Sequence, residues 1–360
     1  MDIRSTKAFA WWEKYEHHLG VAALTLGFLF DLWIAKRPDS LNNNILLLAY
    51  LFIAGGTIVV LNLRDVRRKE EDPEPLLLLL LLQFSFGGLA SNLLILYGHS
   101  GTLAGSAVFI GLLGAMVLGN EFLRGRYVKL RFNIGVYYFL LLTYFVIAVP
   151  TFVTHGVGRA SFLLSGFLSL LYIGGFLAIL YYAVFRGDRV RRLYEASFLV
   201  VVILGVFCGL YFLNVIPPVP LSLKDIGIYH SILKYGDGGY LALYEPTPWW
   251  EFWRDTDPTY RLGQGQSAFC FSSIFAPADL SAPIYHKWEY KNNSEWEVRS
   301  RVSFPIFGGR DDGYRGFSVK TALTPGEWRC SVETAQGGLI GRIGFTVVTE
   351  SAPPLSQKTL

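Results

Sequence analysis

Charge is scarce in this chain. Asp, Glu, Lys and Arg make up 17% of its 360 residues, against 52% hydrophobic, and the mean hydropathy is +0.37. A soluble domain rarely carries so much apolar material with so little charge, so a membrane class is favoured. No Lys/Arg run is interleaved with stacking aromatics, which sets a nucleic-acid partner aside. The chain lacks G-x-S-x-G, H-E-x-x-H and P-loop patterns, and with them the nucleophile elbow, the helical zinc pair and the phosphate cradle. His99, His155, His230 and His286 each stand alone, and "DTDPT" (255–259) lacks the glycine and distal Glu of a calcium loop. No catalytic set, metal site or cofactor is therefore expected.

Long apolar runs are what the sequence does have. Seven reach the ~20 residues that a spanning helix needs: roughly 19–36, 44–63, 76–98, 105–123, 133–154, 161–185 and 197–219. The first follows a mixed-charge segment and has no small-residue cleavage site behind it, so it is expected to remain in the mature protein. Cations alternate between the linkers. Arg64, Arg67, Arg68 and Lys69 share a side with Arg124, Arg126, Lys129, Arg131, Arg186, Arg189, Arg191, Arg192 and the N-terminal segment. Only Lys36, Arg37 and Arg159 fall on the other side. Positive loops stay cytoplasmic. The expected topology is an N-terminus inside and everything after Pro220 outside.

Some positions within the spans stand out. Ala107, Gly111, Ala115 and Gly119, and likewise Gly205 and Gly209, recur at the i+4 spacing that lets helix backbones approach closely. Asp31 is an acid within a span and hence a functional candidate, although it lies about a turn from the outer end. Glu121 sits near the cytoplasmic end beside Arg124, where a local ion pair is the simpler account. Gln83, Asn92 and Asn120 are expected as interhelical hydrogen-bond partners.

Past Pro220 the period changes to short β-branched and aromatic runs between turn residues. Strands are expected near 266–275, 284–291, 296–304, 314–322, 327–334 and 339–348. In 327–334, Trp328, Cys330 and Val332 point one way and Glu327, Arg329, Ser331 and Glu333 the other. The expected fold is thus an all-α seven-helix transmembrane bundle followed by an all-β extracytoplasmic domain, an immunoglobulin-like β-sandwich. Its expected parts are a cytoplasmic or interfacial segment (1–18), the bundle (19–220), an aromatic-rich connector (221–262), the sandwich (263–350) and a flexible tail (351–360).

In the connector, Trp249, Trp250 and Trp253 form either a collar at the headgroups, or around an amphiphilic ligand, or a buried plug. Cys270 and Cys330, with Trp288 between them, match the immunoglobulin Cys–Trp–Cys order and make a candidate disulfide in a compartment where disulfides persist. Against it, Phe269, Phe271 and Phe275 share one face of their strand, which turns Cys270 away from the side they occupy. "GGRDDG" (308–313) reads as a hairpin turn leading into the strand "YRGFSVKT". Arg310 and Arg315, if they project together, could grip an anionic ligand.

The order "FCF" (269–271), "HKW" (286–288), "GGRDDGYRGFSVKT" (308–321), "GEWR" (326–329) and "GLIGRIGFTV" (338–347) resembles a bacterial family, the domain of unknown function 2914. The resemblance implies a bacterial envelope protein and brings no activity and no catalytic residues. The expected role is that of an inner-membrane protein, its C-terminal domain periplasmic, that binds an envelope protein or glycan, with the lipid bilayer as its other partner. A transporter component, or a membrane enzyme acting on lipid or glycan at the outer face, is the alternative.

Overall fold

A computed structural model describes residues 27–35, 37–67, 75–100, 103–122, 127, 129–184, 190–236, 239–246, 257–263, 267–310, 313–350 and 354–360. The chain divides into two compact units. The first holds residues up to 98, 108–149 and 162–213; the second holds 99–107, 150–161 and 214–360.

Seven helices occupy the N-terminal part: α1 (27–34), α2 (Leu41–Arg67), α3 (Leu76–Ser100), α4 (Leu103–Phe122), α5 (Leu130–Phe152), α6 (Arg159–Ala183) and α7 (Val190–Phe212). Among the described residues, five of them (α2, α3, α5, α6 and α7) are long and apolar enough to cross a membrane; α4 carries a shorter apolar stretch, Ser106–Asn120. A helix satisfies its own backbone, which is what hydrocarbon demands. Large apolar side chains such as Phe52, Leu77 and Phe198 point outward, more than 60% exposed, as lipid contact requires.

Polar side chains join the helices from within. Asn43 on α2 and Asn92 on α3 exchange two amide hydrogen bonds, 3.1 and 2.7 Å. Asn120 on α4 donates to the Gln83 carbonyl of α3 at 2.9 Å, and Gln83 donates back to the Asn120 carbonyl at 3.4 Å. The glycine seams behave differently from expectation. A methyl group added at Gly111, Gly205 or Gly209 would meet open space, so these positions do not bring helices together within the chain. Close approach occurs instead at Gly55 against Tyr137, Gly88 against Tyr50 and Gly135 against Leu199, where an added Cβ would lie 2.9 Å or less from the neighbour. Large side chains filling glycine notches, rather than glycine meeting glycine, pack this bundle.

Among the described residues the second unit contains eleven strands: β1 (Ser222–Tyr229), β2 (Ser231–Tyr235), β3 (Gly239–Tyr244), β4 (Thr259–Arg261), β5 (Ala268–Phe275), β6 (Ser281–Asn292), β7 (Glu295–Phe307), β8 (Tyr314–Lys320), β9 (Gly326–Thr334), β10 (Leu339–Val348) and β11 (Ser356–Thr359). They form three sheets, ordered β1-β5-β8, β4-β10-β9-β6-β7 and β11-β3-β2. The six strands read from the sequence are β5 to β10.

Three expectations need correction. Residues 221–262, expected as a connector, contribute β1 to β4, whose apolar positions Ile228, Tyr229, Ile232 and Ala242 are core. Residues 351–360, expected as a tail, include β11, which pairs antiparallel with β3 from Ser356↔Tyr244 to Thr359↔Leu241. The "GGRDDG" stretch does not join paired strands, because β7 and β8 belong to different sheets. It carries the chain from one sheet to the other. Gly308 makes that crossing possible, since an added Cβ would sit 1.6 Å from the Pro277 carbonyl oxygen, while its N–H donates to Leu280 at 2.8 Å.

Two cores flank the β1-β5-β8 sheet. Ile228, Ala268 and Cys270 pack with Trp288, Trp328, Cys330, Phe345 and Val347 of the five-stranded sheet. On the other side, Tyr229 and Phe271 pack with Ile232 and Ala242 of the β11-β3-β2 sheet. The central sheet is therefore buried on both faces.

Candidate functional site

The five-stranded sheet presents one face to the core and the other outward. Pairing register decides which outward side chains become neighbours. Arg342 on β10 lies opposite Ser331 on β9, Ser331 opposite Lys287 on β6, and Lys287 opposite Arg301 on β7. These four residues form one straight row across four strands. The next row runs Gly344, Arg329, Glu289, Val298, and the row on the other side runs Leu339, Glu333, Tyr285, Ser303. These three rows thus set four cations and two carboxylates on one face.

Both carboxylates are buried and already partnered. Arg329 grips Glu289 through Nε at 2.7 Å and Nη2 at 3.0 Å, and Ser331 donates to Glu289 at 3.2 Å. Lys287 reaches Glu333 at 2.5 Å and Glu289 at 3.5 Å. Burial by itself would raise the Glu289 carboxyl, but Arg329 and Lys287 hold it below its ordinary value. Aromatic rings brace the cations: the Arg329 guanidinium stands 4.1 Å from the Trp296 ring centroid, and that of Arg301 3.9 Å from Tyr285.

Arg342 and Arg301 differ from the other two cations. Arg342 donates through Nε to Ser331 at 2.8 Å, and Arg301 donates to the Thr334 and Ala335 carbonyls at 3.3 and 3.5 Å. Neither has a carboxylate partner among the described residues. Desolvation and the nearby Arg329 push the Arg342 guanidinium below its ordinary value, against the opposing pull of Glu289 and Glu333. Strands lie ~4.8 Å apart, so the two arginines stand about 14 Å apart with Lys287 between them.

Behind this face, on the core side, lies a buried polar chain. Trp288 donates its indole N–H to Ser318 Oγ at 2.9 Å, Ser318 Oγ lies 2.9 Å from His286 Nδ1, and His286 Nε2 lies 2.8 Å from Ser272 Oγ. With Ser318 donating to Nδ1 and Nε2–H donating to Ser272, every member is satisfied. Burial pushes the His286 imidazole down to about 4, so it is neutral at physiological pH. Cys270 and Cys330 form a disulfide between β5 and β9. Their sulfurs and a His286 nitrogen lie within 4.8 Å of one another, a spacing that suits a metal, but sulfurs bonded to each other are not thiolate donors.

The residues singled out from the sequence fall in several places. Arg310 lies over the Tyr314 ring, 5.7 Å from its centroid. Arg315, the next position on β8, faces the opposite way and donates to the Leu360 carbonyl at 3.3 Å. The two do not make one edge. Trp249, Trp250 and Trp253 lie outside the described residues. The residues flanking that stretch are tied together: Asp257 N–H donates to the Glu245 carbonyl at 3.3 Å, and the buried Glu245 carboxylate accepts from His230, from the Arg261 backbone and from the Arg261 guanidinium. Asp31 is buried in the first unit, and Glu121 belongs to α4 with its side chain outside the described residues. The outward row itself went unread: alternation put Arg329, Ser331 and Glu333 on one side of β9, but their partners come from strands joined only in the folded sheet.

No curated protein matches the chain. A beta-glucosidase from Listeria innocua is similar over 34% of this chain and 16% of its own, at 12% identity and a TM-score of 0.18. The chain thus spans about a sixth of that enzyme's length. The alkylpurine DNA glycosylase AlkC of Pseudomonas fluorescens is similar over 85% of this chain and 99% of its own, at 9% identity and a TM-score of 0.22. Scores this low carry no argument about fold or activity. A family model does match, and it covers residues 281–347, the stretch from β6 to β10 that supplies the whole charged row. The C-terminal region of this chain therefore carries the family described as a protein of unknown function, DUF2914.

Proposed function

We propose that the chain is an integral inner-membrane protein whose seven helices all cross the bilayer, with its N-terminus cytoplasmic. Its β unit stands in the periplasm and binds an anionic envelope glycan or the acidic surface of an envelope partner. The alternation of Lys and Arg between linkers supports the orientation. The Cys270–Trp288–Cys330 cluster between two facing sheets supports an immunoglobulin-like sandwich within the unit.

One observation carries the binding role: Arg342, Lys287 and Arg301 in a single cross-strand row, the outer two without a carboxylate at salt-bridge distance among the described residues. Two arginines set on strands about 14 Å apart, on either side of the Glu333-paired Lys287, suit an extended ligand with repeated negative charge better than one small anion. The test uses the full chain in lipid nanodiscs, titrated with a uronic-acid polysaccharide and with a neutral glucan of equal length. Preference for the charged polymer, weakening as salt rises, is the expected result. Equal binding of both polymers, or of neither, contradicts the proposal.

A further inference from the structure

Among the described residues, a buried acid of the first unit has no cation to balance it. Asp31 on α1 is 2% exposed, and its carboxylate faces Ser91 and Asn92 on α3. Asn92 is locked to Asn43 of α2 by the reciprocal amide pair, and Tyr50 stands nearby. All of these neighbours are neutral. Arg37, the described cation nearest in sequence, is committed to Asp39 by two hydrogen bonds of 3.0 and 2.8 Å. Ser91 and Asn92 lie within side-chain reach of the Asp31 carboxylate, yet Asp31 Oδ1 and Ser91 Oγ complete no hydrogen bond of good geometry, and Ser91 is itself 3% exposed.

A buried polar atom without a partner is rare, and a buried charge without a counter-charge rarer still. The same arrangement supplies what a small hard cation needs: a carboxylate oxygen, a hydroxyl oxygen and two amide oxygens, each with a lone pair to give. Sulfur and imidazole, the softer donors, take no part. Charge sets the valence. One carboxylate is neutralised by a monovalent ion, whereas a divalent ion would leave net positive charge buried among apolar helices.

We propose that Asp31, Ser91, Asn43 and Asn92 form a binding site for a monovalent cation of the Na+ class, which bridges α1 to the α2–α3 pair. The site goes beyond the ligand-binding role of the β unit and does not depend on it.

The experiment measures thermal unfolding of the purified full chain in nanodiscs at pH 8, in NaCl, KCl or choline chloride at constant ionic strength. The expected result is a saturable rise in Tm with Na+ that choline does not produce. Asp31→Asn abolishes the rise, and Ser91→Ala moves its Na+ midpoint upward about tenfold. A Tm that is the same in Na+ and choline overturns the proposal. So does a Na+ response that survives unchanged in Asp31→Asn. Infrared difference spectra of the same samples test the competing occupant: a protonated-carboxyl band at pH 8 that disappears in Asp31→Asn assigns a proton to Asp31, and that also overturns the Na+ site. Where Asp31→Asn does not fold, Ser91→Ala alone decides, since an unshifted midpoint is incompatible with Ser91 as a ligand.

Discussion

Arg329 holds Glu289 through two parallel hydrogen bonds across β9 and β6, and its guanidinium rests on Trp296 as it does so. This ion pair is internal to the charged face. Arg342 and Arg301 are the cations of the rows without a carboxylate at salt-bridge distance among the described residues.

That difference separates the structural Arg329 from the two arginines proposed to meet a ligand. Arg329→Met leaves the Glu289 carboxylate, which is 4% exposed, with only the Ser331 hydroxyl at 3.2 Å and Lys287 at 3.5 Å. Removing one partner of a buried pair is strongly destabilising; with Arg329 partly open to solvent, about 2 kcal/mol is expected. Arg342→Gln removes no carboxylate contact and is expected to change stability by less than about 0.5 kcal/mol. Urea unfolding of the β unit, followed by tryptophan fluorescence, makes the comparison. Equal losses would place Arg342 in the structural network.

His286 predicts an acid-sensitive fold. Its imidazole is lowered to about 4 in the folded chain from an ordinary 6.5. Between those values the unfolded chain binds more protons than the folded one, so stability falls as pH drops through that window. The full effect is about 3 kcal/mol. His286→Gln, which keeps a donor and an acceptor but cannot titrate, is expected to flatten the slope between pH 6.5 and 4. An unchanged slope would assign it to other groups.

The disulfide predicts a thiol count. Denatured without reductant, the chain is expected to show one reactive thiol, Cys208, and three after reduction. Three thiols before reduction would contradict the pairing. The bridge closes a separation of 60 residues, so Cys270→Ala/Cys330→Ala is expected to cost the β unit about 2–4 kcal/mol.

The places where sequence reading succeeded and failed have physical causes. Length and apolarity alone mark helices, so α2 to α7 stood out. Alternation on β9 put Trp328, Cys330 and Val332 inward, and all three are buried. On β5 the same logic misled. Phe269 and Phe271 occupy one face and Cys270 the other, which argued against the bridge, yet the sheet has a core on each side, so both faces are interior. A strand buried twice has no polar side for alternation to show. β1, β4 and β11 are hard to read from the sequence because partners distant in the chain complete them, β5, β10 and β3 in turn. Asp31 was flagged by its chemistry, but its neighbours Ser91 and Asn92 lie some sixty residues away on another helix. The charged row has the same origin, since strand order places β6 between β9 and β7.

The central claim is that Arg342 and Arg301 bind repeated negative charge. The most direct measurement is the dissociation constant of the full chain in nanodiscs for a uronic-acid polysaccharide, compared with that of Arg301→Gln/Arg342→Gln. At low salt the account predicts at least about a tenfold weaker constant for the double variant, near 1.4 kcal/mol, with unfolding unchanged. Identical constants for the two proteins would contradict it.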